Sequence, residues 1–274
     1  MGLLGNGCLA LLPQASAVTA EAVAEVLGDA LAGEGVADGV REILGVAGDP
    51  GLPTSGLVAL WRASALSLSD GDPVSSWAPS SGTPGTLTAS GSERPTFRAQ
   101  GSPSGGPCVE FDGSNDILSL ASPSGLPVGA AAGTIVAIVA RAVGGSGLRH
   151  VVQLGNVGSR TGRGLATSEG AWATHDWSTP MTAGSDSPRT RGAHVLGHVY
   201  DGATLTLWVD GAPAASSTPT LNTGTGELAV GSRTTPHEER GAFRLMELAF
   251  YSRALADTDW AQVMAHARAA HGVR

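Results

Sequence analysis

Apolar and polar positions along the chain follow two different periods, and the change from one to the other divides it. Between residues 16 and 44 the spacing is helical: Val23, Val26, Leu27 and Leu31 fall on one face, and Val36, Val40, Ile43 and Leu44 repeat it after a break at Gly33 and Gly35. Thr19 is placed to cap the first helix, with Val18 and Val23 where a hydrophobic staple would close. So small a hairpin cannot bury both its sides alone. It serves either as a helical cap on the rest of the chain or as an assembly anchor, and the pattern leaves both open. Pro50 and Pro53 mark residues 45–56 as a linker.

From residue 57 onward the pattern shortens to period two. Strands are predicted over 134–140, 149–154, 194–200, 204–209, 228–230 and 243–251, with turns at Asp201-Gly202 and Asp210-Gly211, residues that tolerate positive φ. A closing helix over 257–271 puts Trp260, Val263, Met264 and Ala267 on one stripe before Gly272. The expected fold is mainly β, an antiparallel two-sheet jelly-roll sandwich over residues 53–274, preceded by a helical segment over 1–52 and ended by the C-terminal helix.

Composition narrows the function. Gly 40 and Pro 16 among 274 residues, with only 15% charged, describe a turn-rich globular chain rather than a disordered one. A net charge of -8 without a basic run argues against nucleic acid as partner. Cys8 and Cys108 are too few for a disulfide framework or a thiolate zinc site, and leave open a single bridge. The first 17 residues imitate a secretion signal at Ala15-Ser16-Ala17 but lack a basic start and are broken by Gly5, Asn6 and Gly7. With Met1 retained and no apolar run of membrane-spanning length, synthesis in the cytoplasm is expected, with neither a signal peptide nor a membrane partner.

Several strings occur in a familiar order. Leu57-Val58-Ala59-Leu60-Trp61, Val74-Ser75-Ser76-Trp77, Arg94-Pro95-Thr96 and Val109-Glu110-Phe111-Asp112-Gly113 resemble the first half of the concanavalin A-like, laminin-G-like jelly rolls. The run from His194 to Gly202, Trp208-Val209-Asp210-Gly211 and the run from Glu247 to Leu255 are similar to the second half, so the resemblance spans residues 55 to 271. It implies binding of glycans or protein surfaces, sometimes with calcium, and in a minority of relatives glycoside hydrolysis. One such fold hosts many functions.

The residues test each implication. Hydrolysis needs two carboxylates about 5 Å apart, and the nearest approach here is Glu110, Asp112 and Asp116, with Asn115 where a third acid would complete the pattern. Val109 and Phe111 are expected to face the core and Asp112-Gly113 to turn the chain, so the structural reading is preferred and no catalytic residue is assigned. Asp112, Asn115 and Asp116 are the candidate calcium ligands and serve equally as turn formers; no other cofactor is expected. His194 and His198 stand about 13 Å apart on a strand, so one metal cannot take both.

Tryptophan placement says more. The resemblance implies core positions for Trp61 and Trp77, and Trp260 lies on the inward stripe of the last helix, whereas Trp208 alternates away from Leu205, Leu207 and Val209 and is either on a binding face or covered by another element. Trp172, His175, Asp176 and Trp177 set two indoles beside polar groups, the combination a sugar needs: a flat apolar plate for its C–H face and partners for its hydroxyls. Trp172, His175, Asp176, Trp177 and Trp208 are therefore the candidate glycan contacts. The expected function is a non-catalytic glycan- or surface-binding subunit of a phage-type virion, as head or tail spike, fibre or decoration. It would be anchored through residues 1–50 to other structural subunits and form a homo-oligomer. A purely structural subunit is the alternative, and a glycoside hydrolase a more distant one.

Overall fold

A computed structural model describes residues 49–140, 146–183 and 192–274. The expected helical hairpin over 16–44, and Cys8, lie outside the described residues.

The described chain forms two antiparallel sheets. The first contains β1 (Leu57–Arg62), β3 (Ser81–Gly82), β5 (Thr96–Arg98), β6 (Cys108–Asp112), β8 (Gly133–Ala140), β13 (Ala193–Tyr200), β14 (Leu205–Val209), β15 (Ala212–Ser217) and β17 (Ala242–Tyr251). The second contains β2 (Ser76–Trp77), β4 (Leu87–Thr88), β7 (Leu118–Leu120), β9 (Leu148–Gly155), β10 (Gly162–Ser168), β11 (Ala171–His175), β12 (Met181–Thr182) and β16 (Glu227–Val230). Their orders are β15-β14-β13-β8-β17-β1-β3, with β6 also on β17 and β5 on β6, and β12-β11-β10-β9-β16-β7-β4-β2. Chain neighbours are often not sheet neighbours, as a jelly roll requires. Helix α1 (Asp257–His271) completes the fold.

The main core lies between the sheets, where Trp61, Trp77, Phe111, Ile135, Leu154, Leu196, Leu207 and Phe250 meet. A second apolar layer fills the outer face of the first sheet, where Val136, Ile138, Val195, Ala249 and Tyr251 take Trp260, Val263, Met264 and Ala267 from α1. Burial on both faces explains why β8 reads Gly-Thr-Ile-Val-Ala-Ile-Val-Ala without a polar interruption.

The second layer also settles Trp208. Leu207 and Val209 face the main core, so Trp208 faces α1, and its ring stacks on Trp260 at 4.9 Å and 7°. Of the two placements the sequence leaves open, the structure shows the covered one: α1 takes one face of Trp208, which stays partly exposed. Gly197 makes the stack fit: a Cβ there would fall 2.2 Å from Trp260 Cη2.

α1 is held at both ends. Asp259 Oδ2 accepts the Ala256 N–H at 2.8 Å, and both its carboxylate oxygens take the Arg253 guanidinium at 2.6 and 2.7 Å. Arg268 and His271 lie in its last turn, where positive charge suits the helix dipole, and Gly272 ends it at φ +67.

Candidate functional site

The segment predicted to hold the sugar-binding pair is strand β11 and the turn after it, and strand geometry divides its residues among three places. Pairing with β10 sets Trp172 opposite Thr167 and Thr174 opposite Leu165, both facing the inter-sheet core. Trp172 is 1% exposed and meets His194 edge-on at 5.6 Å. An indole so enclosed offers no face to a ligand. Thr174 Oγ1 donates to the Gly164 carbonyl at 2.8 Å and therefore accepts the Nδ1–H of His198 at 2.5 Å. His194 instead meets Asp210 at 2.8 Å, so the two histidines of β13 serve different partners.

His175 is on the other face. Its Nε2–H donates to the Ser178 carbonyl at 3.0 Å, which leaves Nδ1 to accept from His150 Nε2 at 3.2 Å. Burial pushes both imidazoles below their ordinary range, His150 furthest, with its neighbours His175 and Arg233 adding to the effect. His150 Nδ1 then faces Glu239 Oε2 at 3.4 Å, and burial raises the carboxyl of Glu239 toward its neutral form.

Trp177 completes this face at a left-handed φ of +67, uncommon for so large a residue. Asp176 holds the turn, because its Oδ1 accepts the Ser178 N–H at 3.0 Å and the Ser178 hydroxyl. The indole lies across Gly162, where a Cβ would fall 2.5 Å from Trp177 Cδ1 and 3.0 Å from Gln153 Nε2. Arg233 stands 5.3 Å from the Trp177 ring. Among the described residues, Gln153 Oε1 and Nε2, Trp177 Nε1 and Thr234 Oγ1 are buried without a hydrogen-bond partner. Each such atom costs about 1–3 kcal/mol unless a water or ligand hydroxyl meets it.

Asp176 occupies the third place. It lines a cleft of about 330 Å³ with Thr174, Ser178, Thr179, Ser217 and Thr218, and with Met181, Leu205, Pro180 and Pro219. The β11–β12 edge of the second sheet and the β14–β15 edge of the first frame it. Arg160, on the rim, stands 3.7 Å from Asp176 Oδ2. Five hydroxyl side chains, one carboxylate and one guanidinium among apolar patches suit a polyhydroxylated ligand.

The structure thus joins His175, Asp176 and Trp177 around one turn, while Trp172 and Trp208 go to two different apolar layers. Sequence reasoning missed Arg160, Gln153 and Arg233, which come from other segments and carry no local signal beyond their polarity.

The candidate carboxylates are tied up elsewhere. Burial alone would raise Glu110, but Arg98 at 2.8 Å and Arg244 at 2.9 Å hold it below its ordinary range. Asp112 Oδ1 accepts the Ser114 and Asn115 N–H groups at 2.7 and 3.2 Å, and Asp116 Oδ2 accepts the Asp112 N–H at 2.8 Å. Asn115 donates its side-chain amide to the Ser92 carbonyl. Burial pushes Asp116 up to about 6. These bonds are those of a turn; they are also the oxygens a calcium ion would need.

No family model and no curated protein matches the chain. Solved structures do. Domain 4 of AbnA, a GH43 extracellular arabinanase from Geobacillus stearothermophilus, in complex with arabinotriose, is 14% identical with a TM-score of 0.57, covering 77% of this chain and 98% of that domain. Trypanosoma rangeli sialidase in complex with sialic acid is 15% identical with a TM-score of 0.55 over 78% of this chain, which spans only 33% of the sialidase. The binding domain of Paraclostridial Mosquitocidal Protein 1 is 13% identical with a TM-score of 0.55, covering 76% of this chain and 52% of that one. At these identities the likeness is one of fold: the described residues share a β-sandwich with these proteins.

Proposed function

We propose that this sandwich is a non-catalytic carbohydrate-binding domain, and that it takes an oligosaccharide in the cleft between Asp176 and the β14–β15 edge. The hydroxyl-lined cleft of about 330 Å³, with Asp176 and Arg160 on its wall, carries the reading. Sugar hydroxyls both donate and accept; Thr179, Ser217 and Thr218 match both roles, Asp176 accepts and Arg160 donates. Pro180, Met181 and Pro219 give the C–H faces apolar contact. The arabinotriose and sialic acid held in two of the similar structures support a saccharide as the class of ligand. Glu110, the carboxylate nearest to a hydrolase pattern, is paired through Oε2 with both Arg98 and Arg244, which supports a structural role for it and binding without hydrolysis.

The context we propose is an assembled virion, with residues 1–50 as the anchor to other subunits; the helical spacing of Val23 to Leu44 supports it.

Calorimetric titration of the full chain with a panel of pentose and sialylated oligosaccharides tests the binding. Saturable affinity, reduced at least tenfold by Arg160→Ala and unchanged by Val157→Ala on the exposed surface, is expected. A chain that binds no member of the panel is a structural subunit, and the reading fails.

A further inference from the structure

Away from the cleft, under the last turns of α1, three ionisable side chains converge. Glu247 Oε1 lies 3.0 Å from His266 Nε2 and 3.0 Å from His271 Nε2, and one donor atom from each residue lies within 4.8 Å of the others. Glu247, His266 and His271 are 4%, 2% and 8% exposed.

The fold works to bring them together. In the pairing of β17 with β8, Met246 is the extra residue of a bulge between Leu245 opposite Val139 and Glu247 opposite Ile138. Without it, strict alternation would turn Glu247 into the inter-sheet core beside Leu245. With it, Met246 and Glu247 both face the helix. His266 and His271, five residues apart, then reach one oxygen from successive turns, with ring planes at 89°. Crossed rings aimed at a single point are how imidazole lone pairs approach a common ion. A carboxylate buried at the carbonyl end of a helix also needs positive charge beside it. Arg62 approaches only the far oxygen, at 3.4 Å from Oε2.

We infer that Glu247, His266 and His271 form a binding site for a divalent transition metal, of which zinc fits the donors best. Two imidazole nitrogens and a carboxylate oxygen are a common zinc set, and bonds of about 2.0–2.1 Å place tetrahedral donors about 3.3 Å apart, so the observed 3.0 Å separations need open only by tenths of an ångström. The ion would tie α1 to β17 and leave at least one position for water or for Oε2. His271 Nδ1 is buried without a partner among the described residues.

The test uses the untagged full chain, stripped with chelator and titrated with Zn²⁺. One equivalent should bind, with a rise in Tm of about 5 °C or more at saturation. In long-range ¹H–¹⁵N imidazole spectra, Zn²⁺ should move the resonances of His266 and His271. Glu247→Gln and His271→Gln should each weaken binding at least tenfold. Binding below 0.2 equivalents at ~100 µM Zn²⁺, or Zn²⁺ that perturbs His237 or His194 while leaving His266 and His271 unmoved, overturns the assignment. The imidazole spectra decide it in the unmodified chain, whether or not the variants fold.

Discussion

Small residues set the limits of this molecule, and Gly197 is the sharpest case. The stack of Trp208 on Trp260 leaves it no room for a methyl, so Gly197→Ala must push the helix off the sheet or tilt the rings. Overpacking of this kind costs about 1–3 kcal/mol. Urea denaturation should show that loss with oligosaccharide affinity unchanged, because the stack lies on the α1 face of the sheet and Leu205 of the cleft faces the other way. A variant as stable as the parent would mean that the stack is not tight in solution. His198 gives a pH-dependent counterpart. Burial, helped by Arg163, pushes its imidazole down to about 3, so it stays neutral in the folded chain while the unfolded chain titrates near 6.5. Its contribution is whole above pH 6.5 and is lost as pH falls toward 3, at up to about 1.4 kcal/mol per pH unit. Denaturation at pH 7.5, 5.5 and 4.5 should give a steeper decline for the parent than for His198→Gln. Parallel curves would contradict the burial of a neutral imidazole.

Elements divide by how each is buried. The alternation of 205–209 and the unbroken apolar run of 133–140 were readable because one or both faces of those strands meet a core. The helix over 257–271 was readable because its stripe and its closing glycine agree. Strand β10 was not, since Gly-Arg-Gly-Leu-Ala-Thr-Ser shows no period: Gly162 exists to let Trp177 lie flat, and Arg163 is buried against Tyr200. The same gap hid the site, because alternation along β11 separates Trp172 from His175, and the two indoles that look adjacent in sequence face opposite sides of one sheet. Met246 is a third instance, as a bulge has no signature in residue type. At this scale Asp259→Ala is informative. It removes the N–H acceptor at the start of α1 and the partner of Arg253, and should cost about 1–2 kcal/mol. Arg253 holds that carboxyl below its ordinary range against the opposing effect of burial, so the difference between parent and variant should shrink as pH falls below about 4. A constant difference from pH 7 to pH 3 would argue that the pair is not formed.

The described sandwich sets one sheet against a helix, and the proposed ligand cleft opens at an edge where the two sheets meet. α1 occupies the outer face of the first sheet; on the second, Arg233 reaches over the outer face to Trp177, while Glu239 and Arg240 pair in the plane of the sheet beside β9, the His150 N–H donating to the Glu239 carbonyl at 2.8 Å. The cleft at Asp176 is where the β11–β12 edge of one sheet meets the β14–β15 edge of the other and hydroxyls gather. The anchor proposed for residues 1–50 predicts that removing them lowers the oligomeric state in light scattering and leaves the sandwich's far-UV spectrum intact; an unchanged state would refute that role. The cleft itself is best tested by amide chemical-shift mapping of the full chain against arabinotriose and a sialylated trisaccharide. Saturable shifts confined to residues 174–181 and 217–219 are expected with at least one of them. Shifts that cluster elsewhere, or none at millimolar sugar with either, would contradict it.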